Sequence, residues 1–328
     1  MNTAIVITTI YQPTEAVEKF SELQNYQLIV VGDKKTPGGW ACNNTTFLAV
    51  DSGASARFSL NSVLPYNHYC RKMLGYLFAI QNGAEAIIDT DDDNIPNNGW
   101  GFPGFEGDFE CVENTGFVNI YKLFTSQHIW PRGLPLNMIN NQDEIVLKEK
   151  KAAKIGIWQG LADEDPDVDA IYRLTSNLPC YFNKRQPVVL NIDAVVPFNS
   201  QNTMIRKELF ALLYLPTYVT FRFTDILRGL VAQPIMWLYG YQLGFTDATV
   251  IQKRNPHNFH DDFISEIPMY QHCESVLEIV KSVISIRKTI SENLYSAYSA
   301  LKANNIVQDR ELVTLKAWLK DLAEIVEK

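Results

Sequence analysis

The stretch IIDTDDDN, from Ile87 to Asn94, places four carboxylates within five residues at the end of an apolar run. Carboxylates this close repel one another, so their charge requires a cation or basic groups nearby. The apolar residues before them predict a β-strand, and open α/β sheets bind ligands at the carboxyl ends of their strands. We therefore interpret the cluster as a ligand site, although an Asp-rich loop is more commonly a solvated acidic turn.

Strands and helices alternate on the N-terminal side of this stretch. Apolar residues at strand and helix periods predict both kinds of element. The strands are predicted over 3–10, 28–31 and 86–88, and the helices over 14–23, capped by Thr14, and over 69–82, ended by Gly83. Such a β-α-β-α-β succession predicts an α/β fold with a mostly parallel sheet and right-handed crossovers.

The remainder of the chain is predicted in less detail. Residues 94–111 and 159–165 are interpreted as loops, 117–124, 187–196 and 248–252 as strands, and 207–213, 225–243, 273–301 and 309–326 as helices. We divide the chain into an α/β domain over residues 1–268 and a C-terminal helical extension over residues 269–328. We expect the extension to pack on the domain or beside it.

Composition excludes two classes of partner. Of 328 residues, 46% are hydrophobic and 20% are charged, with a net charge of −8. No run of Lys and Arg is long enough to follow a phosphate backbone, which excludes nucleic acid. No stretch offers about 20 uninterrupted apolar residues, so no transmembrane segment is predicted. Five isolated cysteines and the lack of a signal-peptide pattern predict a cytoplasmic protein.

The carboxylates of Asp91 and Asp93 have the chemistry of a divalent metal site. Oxygen ligands suit Mg²⁺ or Mn²⁺, and such ions usually complete their coordination with substrate phosphates. A nucleoside diphosphate leaving group would supply them, which favours glycosyl transfer from a nucleotide-sugar donor. We assign Asp89 to the end of the strand and Asp92 to bracing the loop. A phosphatase with Asp89 as nucleophile and Asp91 as acid is the competing interpretation.

Several segments resemble, in order and spacing, the glycosyltransferase domain of the STELLO family. They are Ile7–Ile10, Val30–Pro37, Arg71–Leu77, Thr90–Asn94, Thr224–Gln233 and Lys253–Asn258, and the resemblance covers about residues 3–260. The Asp cluster and Trp130–Gly133 are also similar, more remotely, to the reversibly glycosylated polypeptides, which include UDP-arabinopyranose mutases. The resemblance implies a Rossmann-like GT-A fold, a UDP-linked donor, a divalent metal and a carbohydrate acceptor. It also implies a hexosyl- or pentosyltransferase of polysaccharide biosynthesis.

The resemblance assigns residues to the donor site. They are Thr8, Thr9, Asp33, Lys35, Arg71, Asp91, Asp92, Arg132, Lys253 and Arg254. Thr8 and Thr9 would line the nucleotide pocket, and Asp33 would bond the base or the ribose. Lys35 and Arg71 would contact phosphate or ribose. The alternatives are a turn residue for Asp33 and solvated surface charges for Lys35 and Arg71.

Catalytic and metal roles are assigned in the later segments. Asp225 is interpreted as the general base for the acceptor hydroxyl, or as a first-turn carboxylate of a helix. Arg228 would organise Asp225 or hold the acceptor, and His257 would be the third metal ligand, as in many GT-A enzymes. Two other functions stay open. One is a mutase or self-glycosylating protein, with Arg132 as the modified residue, and the other is a non-catalytic protein that binds a sugar nucleotide.

Overall fold

The computed structural model describes residues 1–51, 53–255 and 258–326. Its first part alternates strands and helices as the apolar periods predict. The elements are β1 (Thr3–Thr9), α1 (Glu15–Ser21), β2 (Gln27–Gly32), β3 (Thr45–Leu48), α2 (Gly53–Ala56), α3 (Lys72–Gln81) and β4 (Ala86–Thr90). Strands β3, β2, β1 and β4 lie side by side in this order and run parallel. Their carboxyl ends therefore meet at one edge of the sheet.

Local sequence explains where the first helices begin and end. The hydroxyl of Thr14 accepts a hydrogen bond from the amide of Val17 at 3.3 Å, which caps α1. Helix α3 ends before Gly83, whose φ of 79° suits a residue without a Cβ. At Gly75, α3 lies so close to the sheet that an added Cβ would be 2.6 Å from Val6 Cγ1. This glycine therefore sets the distance between α3 and β1.

The later elements extend the sheet and add helices. They are β5 (Asn94–Pro96), β6 (Glu106–Val112), β7 (Gly116–Phe117), β8 (Leu147–Asp163), α4 (Ala170–Thr175), β9 (Val188–Leu190), β10 (Ala194–Val195), β11 (Asn202–Arg206), α5 (Thr224–Leu238), β12 (Gln242–Gln252), α6 (Phe259–Val283), α7 (Ile290–Ala303) and α8 (Asp309–Val326). Beyond β4 the sheet continues with β11, β8, β6, β9, β12 and β5. Strand β11 is antiparallel to both neighbours, and β12 also pairs with β8.

The predicted fold class is confirmed. The chain forms a mixed α/β fold with a large central sheet, followed by C-terminal helices. The parallel arrangement predicted for the first strands holds from β3 to β4, and antiparallel pairs enter the sheet with β11.

The middle of the chain differs from several predictions. Residues 94–111, predicted as loop, contain β5 and β6. The predicted strand over 117–124 is mainly a 3₁₀ helix over Ile120–Leu123. Gln159 to Asp163 belongs to β8 rather than to a loop. The predicted strand over 187–196 is divided into β9 and β10 by a turn, in which Asp193 has a φ of 71°.

Two predicted helices end earlier than their apolar patterns suggest. Helix α5 tolerates Pro234 but ends at Leu238, because Gly240, with a φ of 73°, turns the chain into β12. The helix predicted over 273–301 is broken between α6 and α7. Thr289 caps α7 there through a reciprocal capping box with Glu292, which starts a new helix.

The C-terminal helices pack on the α/β part of the chain. Helix α6 lies along α5 with Met269, Cys273 and Val276 buried, and α8 contacts α3 with Trp318 buried. The predicted domain boundary between residues 268 and 269 stays a prediction. Helix α6 runs without a break across these two residues. Among the described residues, no helix has both the length and the apolar character needed to cross a membrane.

Candidate functional site

A cavity of about 400 Å³, which we call the main cavity, opens where β1, β2 and β4 end. Thr8 and Thr9 line it from β1, Asp33 lies just after β2, and Asp91 to Asp93 follow β4. The start of α5 contributes Asp225. Ligands of α/β proteins bind at this edge of the sheet. The structure therefore brings together residues from distant parts of the chain, from Thr8 to Arg254.

Asp89 is fully buried at the end of β4 and binds two positively charged side chains. Its Oδ1 accepts a hydrogen bond from Lys72 Nζ at 2.9 Å, and its Oδ2 accepts one from Arg228 Nη1 at 2.7 Å. Burial would raise the pKa of Asp89, but Lys72 and Arg228 more than offset this and lower it. Asp89 is thus a buried anion that fixes these two side chains.

Lys72 connects Asp89 to the carboxylates of the main cavity. Its Nζ also donates to the carbonyl of Thr90 and to Asp91 Oδ1, both at 2.8 Å. Burial would lower the pKa of Lys72, yet Asp89 and Asp91 raise it above its ordinary value. The Asp91 side chain remains 38% exposed and lines the main cavity, so its carboxylate is still open to a ligand.

The three cavity carboxylates are held in different ways. Thr9 Oγ1 donates to Asp92 Oδ2 at 2.5 Å, and Gln252 Nε2 lies 3.3 and 3.4 Å from the two oxygens of Asp93. Burial, with repulsion from neighbouring carboxylates, raises the pKa of Asp91 to about 7 and those of Asp92 and Asp93 to about 6. Such a site carries more negative charge than its protein partners neutralise.

Arg132 uses all five of its N–H donors within the protein. Nε and Nη2 bind the Asp167 carboxylate at 2.8 and 2.9 Å, and Nη1 and Nη2 bind the Asp225 carboxylate at 3.0 and 2.9 Å. Nη1 also donates to the carbonyl of Arg222. Burial would raise the pKa of Asp167, but Arg132 and Arg222 lower it to about 2. A donor contact or modification of Arg132 would have to break these bonds.

Asp225 is fixed by four hydrogen bonds. Besides the two from Arg132, its oxygens accept the amides of Ser200 at 3.2 Å and of Ile226 at 3.1 Å. A proton could bind only after one of these donors moves away. Arg228, predicted beside it, does not line the main cavity. Arg228 instead pairs with the buried carboxylate of Asp89.

Arg71 and Asp33 stand together on the β2 side of the main cavity. Asp33 accepts the amides of Lys34 at 2.7 Å and of His68 at 3.2 Å. Arg71 is 1% exposed and donates from Nη2 to Asn61 at 3.0 Å. Among the described residues, its Nε and Nη1 have no hydrogen-bond partner. Since buried donors are rarely left unpaired, these two point to acceptors on a ligand.

An aromatic ledge, formed by His68, Tyr69 and Phe221, also lines the main cavity. The ring centroids of His68 and Tyr69 are 5.3 Å apart, and those of Tyr69 and Phe221 are 4.8 Å apart. Phe221 is 51% exposed, so the ledge offers an apolar surface to a ligand. The sequence did not predict this ledge, because two distant segments form it.

Of the remaining predicted residues, one lines the main cavity and two lie outside it. Arg254 lines the main cavity, with Nε 3.1 Å from Asp165 Oδ2. Lys35 and Lys253 are exposed and do not line it, and Lys253 pairs with Glu164. His257 lies outside the described residues. Within the described residues, no group of three His, Cys, Asp or Glu side chains could hold a metal ion, so the metal site stays a prediction.

Sequence reasoning missed Lys72, Asp167 and Gln252, which hold the predicted carboxylates and arginines. Lys72 did leave a signal, because it lies within the predicted helix 69–82 next to its apolar face. Asp167 and Gln252 left none, since their partners are distant in the chain.

Comparisons with known proteins bear on the family of this chain. The family model "STELLO glycosyltransferases" matches residues 222–327. The resemblance to the STELLO family is confirmed. Over 98% of its length the chain is 28% identical to the probable glycosyltransferase STELLO1 of Arabidopsis thaliana, and over 97% it is 28% identical to STELLO2 of the same plant. The chain spans 44%, or about half, of the length of each STELLO protein.

Proposed function

We propose that the chain is a metal-dependent glycosyltransferase of GT-A type. It would move a hexose or pentose from a UDP-linked donor to a carbohydrate acceptor. The observation that carries this proposal is the group Asp91 to Asp93 at the end of β4 in the main cavity, in a chain similar to probable glycosyltransferases. The cavity lies at the edge where α/β sheets commonly bind ligands, which supports the proposal.

The charges around the cluster fit a divalent cation. When all four are ionised, Asp89 and Asp91 to Asp93 carry four negative charges, and Lys72 and Arg228, which pair with two of them, carry two positive ones. Two negative charges remain, which Mg²⁺ or Mn²⁺ would balance. Asp91 and Asp93 would hold the ion, with His257 as a further ligand. When bound, the ion would stabilise the charge that develops on the diphosphate as the sugar leaves.

Arginines with unused donors would hold the nucleotide. Among the described residues, Arg71 Nε and Nη1 have no hydrogen-bond partner, and they lie beside Asp33, which suits a base or a ribose that offers both acceptors and hydroxyls. Arg254 also lines the main cavity and would meet the diphosphate. Thr8 and Thr9 would complete the donor wall at the end of β1.

Asp225 and the aromatic ledge would receive the acceptor. A sugar ring packed on Phe221 would lie near Asp225, four residues along the chain, which would take the proton of the attacking hydroxyl. For this step the Ser200 amide or one Arg132 bond must give way. Arg132 would restore the geometry afterwards, because its contacts with Asp167 hold it in place.

Specific contacts disfavour two alternatives. A phosphatase would need Asp89 as a nucleophile, yet Asp89 is 0% exposed between Lys72 and Arg228. A self-glycosylating protein would need Arg132 free, yet its donors are all engaged. A non-catalytic protein that binds sugar nucleotides remains the second candidate.

The test is nucleotide release from a panel of sugar nucleotides in the presence of Mn²⁺, with and without carbohydrate acceptors. Asp93→Asn should reduce UDP release by about a hundredfold or more, as expected when charge stabilisation of a leaving group is lost. The matched control is Asp108→Asn, which changes an exposed carboxylate on β6 and should leave the rate unchanged.

Metal-dependent UDP binding without turnover of any donor would favour the non-catalytic candidate. Turnover that is equally fast in Asp93→Asn and the unmodified chain would exclude the proposed metal site.

A further inference from the structure

A second cleft, which we call the side cleft, adjoins the main cavity. Its volume is about 380 Å³, and both Gln252 and Arg254 line it as well as the main cavity. The charged residues that line it are Glu164, Asp165, Arg173, Lys253 and Arg254. Three cations therefore face two anions, so the described lining carries one unbalanced positive charge.

The excess charge is located on the guanidinium groups of Arg173, which is buried, and of Arg254, whose side chain is 10% exposed. Arg173 and Arg254 share one carboxylate, that of Asp165. Among the described residues, Arg173 Nε and Arg254 Nη1 have no hydrogen-bond partner. Burial, followed by repulsion from Arg222 and Arg173, lowers the pKa of Arg254 to about 10. An anion in the side cleft would satisfy both the charge and the unpaired donors.

The outer wall of the side cleft is a fixed segment with apolar side chains. Glu164 and Cys180 exchange two backbone hydrogen bonds of 2.7 and 3.0 Å. The carbonyl of Leu178 accepts a hydrogen bond from Tyr172 Oη at 3.2 Å. The Leu178 side chain is 59% exposed in the wall, which Pro179 also lines. Apolar walls with a few directed cations suit a ring that carries an acidic group.

We propose that the side cleft binds an anionic sugar unit, a ring that carries a carboxylate or a phosphate. Arg173 and Arg254 would bind the anion, and Leu178 would contact the ring. That this unit belongs to the acceptor rests on the proposed function. That it is anionic rests on the cleft alone. Because Arg254 also lines the main cavity, the anion would sit next to the expected reaction site.

The test introduces a charged side chain at position 178, in the exposed wall of the side cleft. Leu178→Glu adds a negative charge, Leu178→Lys adds a positive one, and Leu178→Gln is the matched neutral control. Binding is measured calorimetrically with digalacturonic acid, glucose 6-phosphate and the neutral disaccharide cellobiose. We expect an anionic probe to bind about threefold more weakly to the Glu variant and about threefold more tightly to the Lys variant than to the control, as for a partly exposed charge pair.

The anionic probe that binds identifies the acidic group as carboxylate or phosphate. Binding that is the same in the Glu and Lys variants, equal binding of cellobiose, or no binding of either anionic probe would overturn the proposal. UDP release by the unmodified chain is measured in parallel. Charge-dependent binding without UDP release would count against the proposed function alone, and release with charge-independent binding would count against the side cleft alone.

Discussion

Burial keeps the imidazole of His68 neutral in the wall of the main cavity. It lowers the pKa of His68 to about 4, while Asp33 acts in the opposite direction. His68 Nδ1 accepts the amide of Cys70 at 3.1 Å, which only an unprotonated nitrogen can do. Since the ordinary value is 6.5, the unfolded chain binds more protons between pH 6.5 and 4. The stability from neutral His68 is therefore complete above pH 6.5 and is lost as the pH falls through 4.

The expected result is an NMR titration of His68 with a midpoint of about 4. The variant His68→Gln assigns the resonance, because its spectrum should lack that signal. The difference in free energy of unfolding between the two proteins should be constant above pH 6.5. In more acidic solution the unmodified chain should lose stability relative to His68→Gln. A His68 midpoint at 6.5 or higher would show that the imidazole is not shielded in this way.

Single residues were predictable from sequence where their role follows from a strand end. The Asp cluster is such a case, because the apolar run before it fixes its place at the edge of the sheet. The partners of those carboxylates were not predictable. Arg228 binds Asp89 across 139 positions, and Arg132 binds Asp225 across 93 positions. The roles predicted for Arg132 and Arg228 stay predictions, and the groups that these two arginines bind come from other parts of the chain.

Helix α3 approaches the sheet only because residue 75 lacks a side chain. The change Gly75→Ala would favour the helix by about 1 kcal/mol. The new Cβ would, however, lie 2.6 Å from Val6 Cγ1 and 2.8 Å from Val31 Cγ2, and overpacking costs about 1–3 kcal/mol. We expect a net loss of up to about 2 kcal/mol in the free energy of unfolding, measured by urea denaturation.

Gly53→Ala in α2 is the control, because no neighbouring atom of the described residues lies within 4 Å of the added Cβ. It should leave the free energy of unfolding unchanged or raise it slightly. If Gly75→Ala were as stable as this control, the close packing of α3 on β1 and β2 would be wrong.

Elements were predictable where hydrophobic periodicity and local end signals agree. This holds for β1, α1, α3 and β4, each bounded by a cap or a polar turn. Strand β8 was missed because its first half is exposed and rich in lysine, and it pairs with β6 at the surface. The break between α6 and α7 was missed because apolar residues continue through it. The capping box of Thr289 and Glu292 starts a new helix there, although the apolar spacing would allow one continuous helix.

The C-terminal helix α8 is tied directly to the chain that enters the main cavity. Glu311 is fully buried and accepts the amides of Thr217 at 2.9 Å and of Tyr218 at 2.7 Å, together with the hydroxyl of Tyr214. This segment leads three residues later into Phe221 of the aromatic ledge. The sequence predicted helices at the C-terminus that pack on the α/β part, but it gave no sign that one of them would hold a cavity loop.

Replacing Glu311 by Gln should therefore affect both stability and the cavity loop. The NH₂ group of the new side-chain amide would replace one carboxylate oxygen and would face the backbone N–H groups of Thr217 and Tyr218. At least one of these buried N–H groups would then have no acceptor. We expect a loss of about 2–4 kcal/mol in the free energy of unfolding, because a charged acceptor is lost from a buried site. Hydrogen exchange, read by NMR, should show faster exchange at the amides of Thr217 and Tyr218 than in the unmodified chain.

The control lies on the same helix. Glu324→Gln removes an exposed carboxylate that pairs with Lys320 at 3.8 Å, so it should change the free energy of unfolding by less than about 0.5 kcal/mol. If Glu311→Gln lowered stability but left the Thr217 and Tyr218 amides as protected as before, α8 would stabilise the core without holding the loop. If both changes occur together, donor turnover should fall in Glu311→Gln and not in Glu324→Gln, because the loop carries Phe221 toward Asp225.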